Sequence, residues 1–412
     1  MDLTVDFKRT QIGLIPADWE LKPLKQISPA QGVGLVINPS TYFDAAGTVP
    51  MLVGSNIKEN HIVWETANRI SVASNQSLSS SRLSAGDLVT VRVGDPGVTA
   101  VVPLELDGCN CASVMIVRKH HSYNSHWLCS VMNSQIGLSQ IGNVQYGTAQ
   151  KQFNISDAVN FLYPVPPLSE QQAIAEALSD ADALIDALEQ LIDKKRQIKK
   201  GAMQELLTGK RRLPGSEENW VEKTIDEIAF VDPENLGANT DPNYCFNYIS
   251  LEDVSQGRLL GTTEMMFRDA PSRARRCAIR DDVLFGTVRP NLMSHYIVRK
   301  KGDDLVCSTG FAVIRCKDDQ SVPEFVFISL FSNNVNRQVE RLIAGSNYPA
   351  ISSGQVKGIR INLPPLKEQI AISNVLVDMD SEISAFEAKL SKARKIKQGM
   401  MQELLTGRIR LV

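Results

Sequence analysis

A chain of 412 residues is too long for one ordinary hydrophobic core, and its 22% charged and 43% hydrophobic content is that of a folded globular protein, which excludes a predominantly disordered chain. With 44 Lys and Arg against 46 Asp and Glu, the net charge of −2 excludes wholesale coating of nucleic acid but leaves room for local basic patches. Arg92 and Asp95 interrupt the most apolar region, so no membrane span is expected.

The opening residues, Met1-Asp2-Leu3-Thr4, lack the basic start and apolar middle of an export signal, and the cysteine count is odd. Reduced thiols and a cytoplasmic location are the expectation. Cys109-Asn110-Cys111 with His120 and His121 does not have the spacing of a zinc knuckle, so no metal is expected.

The first globular segment spans residues 1–165. A Trp19-led start is followed by short β-rich runs at 49–53, 88–93, 98–102 and 113–117, separated by turn signals such as Gly94-Asp95-Pro96-Gly97. Next comes Pro166-Pro167-Leu168-Ser169-Glu170-Gln171, opening a heptad helix that closes on Gln204-Glu205-Leu206-Leu207-Thr208-Gly209. Ile174, Leu178, Ile185, Leu188 and Ile192 form its apolar seam. Ser169 and Gln172 have capping-box spacing, Gly209 suits termination, and Gly201 within the pattern implies a kink or a close backbone approach.

All of this recurs. Residues 214–363 form a second globe with a Trp220-led start and β-rich runs at 248–251, 283–287, 296–299 and 311–315. Residues 364–412 repeat the rod of residues 166–213 with a shift of about 198 positions and identity at about 27 of about 48 places. Its seam is Ile372, Leu376, Ile383, Phe386 and Leu390, and Gly399 matches Gly201. The expected fold is α+β: two pseudo-symmetric mixed α/β globes and two helices pairing as an antiparallel coiled coil. The short link between Gly209 and Trp220 favours the antiparallel arrangement, because it lets the second globe start at the far end of the first rod. A rod of about 38 residues is roughly 57 Å long at 1.5 Å per residue.

The duplicated combination Pro-Pro-Leu-x-Glu-Gln, heptad helix and Gln-Glu-Leu-Leu-Thr-Gly resembles the specificity subunit of type I restriction-modification enzymes. Gly147-Thr148-Ala149-Gln150 before the first Pro-Pro-Leu adds to the likeness. The resemblance implies that each globe is a target recognition domain reading half of a bipartite duplex DNA target. It implies helices that hold the halves apart and dock methyltransferase subunits, two of them, with restriction subunits in the full complex. S-adenosylmethionine, and ATP with Mg for restriction, are expected on those partners and no cofactor on this chain. The alternative is a coiled-coil scaffold whose globes bind proteins.

Phosphate contact requires cations, and base readout requires fork-shaped or amide donors. Arg273, Arg275 and Arg276 belong to the densest basic run, in a loop-like stretch after Pro271 and Ser272; they either face DNA or pair with nearby acids. The first half is Ser-rich at the same place. Arg92 and Arg289 follow equivalent strands and suit either the major groove or a scaffold ion pair. Gln150, Lys151 and Gln152, with Asn347 and Tyr348 opposite, lie in polar loops and suit adenine edges. The second part of each rod is basic, which fits a solvated face, spacer phosphates or an acidic partner.

Catalysis by this chain is not expected. A methyltransferase needs an Asn/Asp-Pro-Pro-aromatic loop, of which Asp241-Pro242-Asn243-Tyr244 falls one proline short, and no Gly-x-x-x-x-Gly-Lys-Ser/Thr phosphate loop is present.

Overall fold

The computed structural model describes residues 6–144, 151–299, 304–344 and 349–411. In the first half, Leu88–Val91 and Val114–Val117 are buried at every position. Runs without polar alternation form strands covered on both faces, and these two are the middle of an antiparallel sheet. Its order is Thr99–Val101, Leu88–Val91, Val114–Val117, Gln31–Val33. The second half builds the same sheet from Tyr296–Ile297, Val283–Gly286, Phe311–Cys316 and Ala229–Val231.

Both sheets are anchored alike. Gly86 and Asp281 have left-handed backbones with φ of 90° and 69°. The next residues, Asp87 and Asp282, are buried carboxylates. Asp87 accepts from Arg118 at 2.7 Å, and Asp282 accepts from Arg315 at 2.9 Å through both Nε and Nη2. A buried acid persists only when paired and hydrogen-bonded, so this Asp and Arg are scaffold in both copies.

A second sheet adjoins the first in each module, and here the copies differ. The first module pairs Val49–Leu52 with Asn68–Ile70 and, in parallel, with Asn110–Cys111. The second places Cys245–Ile249 between Thr263–Met266 and a parallel Leu305–Ser308, then adds Ala274–Ala278 as a fourth strand. The Arg-rich stretch that the sequence presents as a loop is this strand. A register shift between Ala274 and Arg276 breaks its alternation, which is why the pattern is hard to see. In the first module a single bridge, Arg82↔Asn110, stands at that place beside the Ser-rich helical turns.

By its contacts the chain divides into two units, Met1–Glu189 with Ala388–Val412, and Gln190–Glu387. Each rod helix, Leu168–Leu206 and Leu366–Leu404, therefore contributes to both. Within the first unit Asp182 pairs with Lys397, and Glu189 with Arg394 at 2.6 Å. Within the second, Lys199 meets Asp380 at 2.5 Å, Lys195 meets Glu382 at 2.6 Å and Arg196 meets Glu387 at 2.7 Å. From Asp182 to Glu189 the partners fall from Lys397 to Arg394, and from Lys195 to Lys199 they fall from Glu382 to Asp380, so the helices run antiparallel. Each helix is acidic early and basic late, and antiparallel packing sets unlike charges opposite each other. Exposed pairs are worth only about 0.2–1 kcal/mol each, so the ladder selects orientation more than it adds stability.

Of the seam positions, Ile174, Leu178, Ile192, Ile372, Leu376 and Ile383 are buried, while Ile185, Leu188, Phe386 and Leu390 are half-buried. Ile174 and Leu178 belong to the first globe's core, with Trp127 and with Leu404 and Leu405 from the end of the chain. Ile372 and Leu376 pack with Leu206, Leu207, Phe325 and Ile328 in the second. The early seam is thus globe core as well as helix partner. A Cβ at Gly201 or Gly399 would meet nothing within 4 Å, so close backbone approach is not the reason for these glycines, which both lie inside continuous helices.

The expected capping box does not form either. Gln172 binds Glu176 at 2.7 Å and Asn124 at 2.5 Å, and the Pro167 carbonyl accepts the first N–H bonds of the helix. The Glu-Gln pair of the motif ties helix to globe instead. Glu170 is buried and accepts from Trp19 Nε1 at 3.0 Å and from Arg410 at 2.6 and 2.8 Å. Glu368 repeats this with Trp220 at 3.0 Å and Arg212 at 2.7 and 2.8 Å. Gln171 accepts from the Asn124 backbone N–H and donates to the Pro166 carbonyl, both at 2.9 Å. Gln369 accepts from Val322 N–H and donates to the Pro364 carbonyl, both at 2.8 Å. In each clasp the Trp and Glu come from one copy and the Arg from the tail of the other. Gly209 and Gly407, with φ of 69° and 70°, turn those tails; a Cβ at Gly407 would lie 2.3 Å from Pro16 Cγ.

His295 lies fully buried in the second module, stacked on Phe285 at 4.3 Å and accepting from Gly286 N–H at 3.3 Å. Burial pushes its pKa from 6.5 down to about 3. The unfolded chain then takes up a proton below pH 6.5 that the folded module refuses, so stability falls from there toward pH 3. The expected loss is about 1.4 kcal/mol per pH unit. Unfolding of the second module followed against pH should show this slope, and His295→Gln, which keeps an acceptor for Gly286, should flatten it.

Candidate nucleic-acid interface

After the buried strand Leu88–Val91, the chain turns at Gly94 with φ of 95°, and Val93 forms an antiparallel bridge with Gln152. Gly94 N–H donates to the Lys151 carbonyl at 3.2 Å, while Phe153 N–H donates to the Arg92 carbonyl at 3.3 Å. Arg92, Lys151 and Gln152, far apart in sequence, are thereby brought to one edge. Lys151 and Gln152 are exposed; Arg92 is half-buried, its Nε donating to the Phe153 carbonyl at 3.4 Å.

The second module repeats the device. Val288 bridges Ala350, and Arg289 N–H donates to the Pro349 carbonyl at 2.7 Å. This register sets Arg289 at the position of Gly94, two places beyond the match expected with Arg92. Arg289 is exposed and holds a left-handed backbone with φ of 48°, the conformation that Gly94 takes without a Cβ. Met293 closes the same turn at φ of 51°. Such backbone costs of order 1 kcal/mol or more for a residue with a side chain, and it clusters at functional sites.

The strand Ala274–Ala278 divides its arginines. Arg276 is half-buried, forms an ion pair with Asp232 and donates to Ser353 Oγ at 3.2 Å, so its charge is compensated inside the scaffold. Arg275 lies over Phe267 at 4.8 Å and donates to the Ala274 carbonyl at 2.8 Å. Arg273 is exposed and has no side-chain partner among the described residues. Through Ser353 the strand edge reaches the segment that bridges Val288, which places Arg273, Arg275 and Arg289 in one region of one module. Gln150, Asn347 and Tyr348 lie outside the described residues.

Lys210 and Arg337, both exposed, were not visible as candidates in the sequence. Arg337 reads as ordinary helix surface, and only the fold brings it toward the rod. Among the described residues no group of three or more His, Cys, Asp or Glu side chains could hold a metal ion, and no helix is long and apolar enough to cross a membrane.

The type I restriction modification DNA specificity domain matches the chain twice, over residues 16–200 and 217–393, so the chain belongs to that family of non-catalytic specificity subunits. It is 24% identical to a putative type I restriction enzyme MjaX specificity subunit of Methanocaldococcus jannaschii, covering 98% of this chain and 97% of that protein. Over 97% of this chain and 90% of the relative it is 21% identical to the EcoKI specificity subunit of Escherichia coli. The fold is similar to that of an S subunit from M. genitalium, with a TM-score of 0.61 at 13% identity over 98% of this chain and 97% of that one. A chain from a structure of type I restriction-modification complex assembly and conformational transition matches at a TM-score of 0.54 and 17% identity, over 96% and 99%.

Proposed function

We propose that each globe reads one half of a bipartite duplex DNA target, residues 1–165 and 214–363 acting as target recognition domains. The helical segments 166–213 and 364–412 set the spacing and dock two methyltransferase subunits. Those partners carry S-adenosylmethionine, and a restriction subunit with ATP and Mg performs cleavage, in the cytoplasm. Base and phosphate contacts come from Arg92, Gln150, Lys151 and Gln152 in one half and from Arg273, Arg275, Arg289, Asn347 and Tyr348 in the other.

The observation that carries this reading is one scaffold built twice with different edges. The four-stranded sheets centred on Leu88–Val91 and Val283–Gly286, the buried Asp–Arg pairs and the Glu–Trp–Arg clasps correspond between the copies. The exposed edges do not: a Ser-rich turn stands against an Arg-rich strand, and Gly94 against Arg289. Two readers of different half-sites require that combination. Exchanging residues 1–165 for those of a relative that keeps Trp19 and Asp18 should change one half of the methylated sequence and leave the other. Mapping of methylated positions checks it, and changes in both halves would refute it.

A further inference from the structure

The second module contains a cleft of about 680 Å³ between the end of the first rod helix and the helix Asn333–Ile343. Five cations line it and no carboxylate does among the described residues. Arg196 and Lys199 are already neutralised by Glu387 and Asp380. Lys200, Lys210 and Arg337 are exposed and have no acidic partner among the described residues. The corresponding cleft of the first module, about 990 Å³, is lined by Glu59, Asp182, Asp186 and Glu189 beside three cations. There Gln398 stands where the second module has Lys200. One geometry therefore carries two opposite charge balances.

The basic cleft is continuous with the candidate reading turn, because Met293, which closes the turn begun at Arg289, forms part of its wall. Exposed lysines on flexible stems with the amides of Asn333 and Asn334 are suited to phosphate oxygens and carry no base code. We propose that this cleft holds the phosphodiester backbone of duplex DNA beside the half-site read by the second module, so that this module supplies most of the sequence-independent affinity. The proposal rests on the DNA-reading role above.

The test is the salt dependence of DNA binding by the full chain carrying Lys200→Gln, Lys210→Gln and Arg337→Gln, on duplexes with and without the target. Removing one cation from a phosphate lowers the slope of log affinity against log salt by about 0.9, so a fall of about 2 to 3 is expected. Affinity near 100 mM salt should drop about 10- to 100-fold on both duplexes, with their ratio nearly unchanged. Lys200→Arg with Lys210→Arg should keep the slope, and so should Lys58→Gln in the first module. An unchanged slope in the triple variant, beside site-selective binding by the parent chain, overturns the cleft and leaves the reading role intact. So does an unchanged slope accompanied by loss of methyltransferase co-purification, which marks a protein-docking surface. A parent chain without salt-dependent selective binding sinks both. The three side chains are exposed, and an unaltered thermal transition confirms folding.

Discussion

Glu170→Ala is expected to destabilise the first module by about 3–5 kcal/mol, the range for removing one partner of a buried ion pair. The carboxylate is buried and satisfies three donors, Trp19 Nε1 and two nitrogens of Arg410. Without it the buried indole N–H has no acceptor, and the Arg410 guanidinium, 13% exposed, keeps only Asp18. Arg410 in turn holds the Asp18 carboxyl below its ordinary pKa, by hydrogen bond first. Glu368→Ala should cost the second module less, about 2–3 kcal/mol, because Arg212 is 29% exposed and recovers water. Calorimetry with one transition per module would separate the two. The damaged half should also lose its half of the DNA specificity first. Equal losses, or losses under 1 kcal/mol, would show that the clasp does not hold the globes.

A chain ending at Glu387 is expected to keep the second module and lose the first. Residues 190–387 form one unit, whereas the first globe draws Leu404, Leu405 and Arg410 from the far end of the chain. Each buried leucine removed costs about 2–5 kcal/mol, and the clasp adds about as much again. The sum reaches the 5–15 kcal/mol that holds an ordinary domain together. Hydrogen exchange should show fast exchange across Leu88–Val91 and Val114–Val117 and continued protection of Val283–Gly286 and Phe311–Cys316. Protection of the first sheet in the shortened chain would refute this.

What the sequence shows clearly is whatever repeats or has a strong period. The rods were legible because a 3.5-residue period over 39 residues has no other solution in water, and the central strands because unbroken apolar runs must be covered. The strand Ala274–Ala278 was hidden by its bulge and by a composition that resembles a solvated loop. The register of Arg289 against Gly94 was hidden because two residues of offset between diverged turns leave no local mark. Glu170 and Glu368 stand in the motif that defines the repeat, yet their buried role depends on Arg410 and Arg212, which lie 240 and 156 positions away. Pairings at that distance have no sequence period. The same holds for Lys210 and Arg337, whose shared cleft exists only once the helices are packed.

The clasp has a consequence for ancestry. Arg212 belongs to the first copy but completes the Trp–Glu pair of the second, and Arg410 does the reverse. A gene encoding a single copy would make a polypeptide whose tail does not pair with the acid of its own globe, so that both would stay open. Two such polypeptides exchanging tails would satisfy both, so a self-complementary homodimer is the natural forerunner, and fusion would have freed its halves to evolve separately.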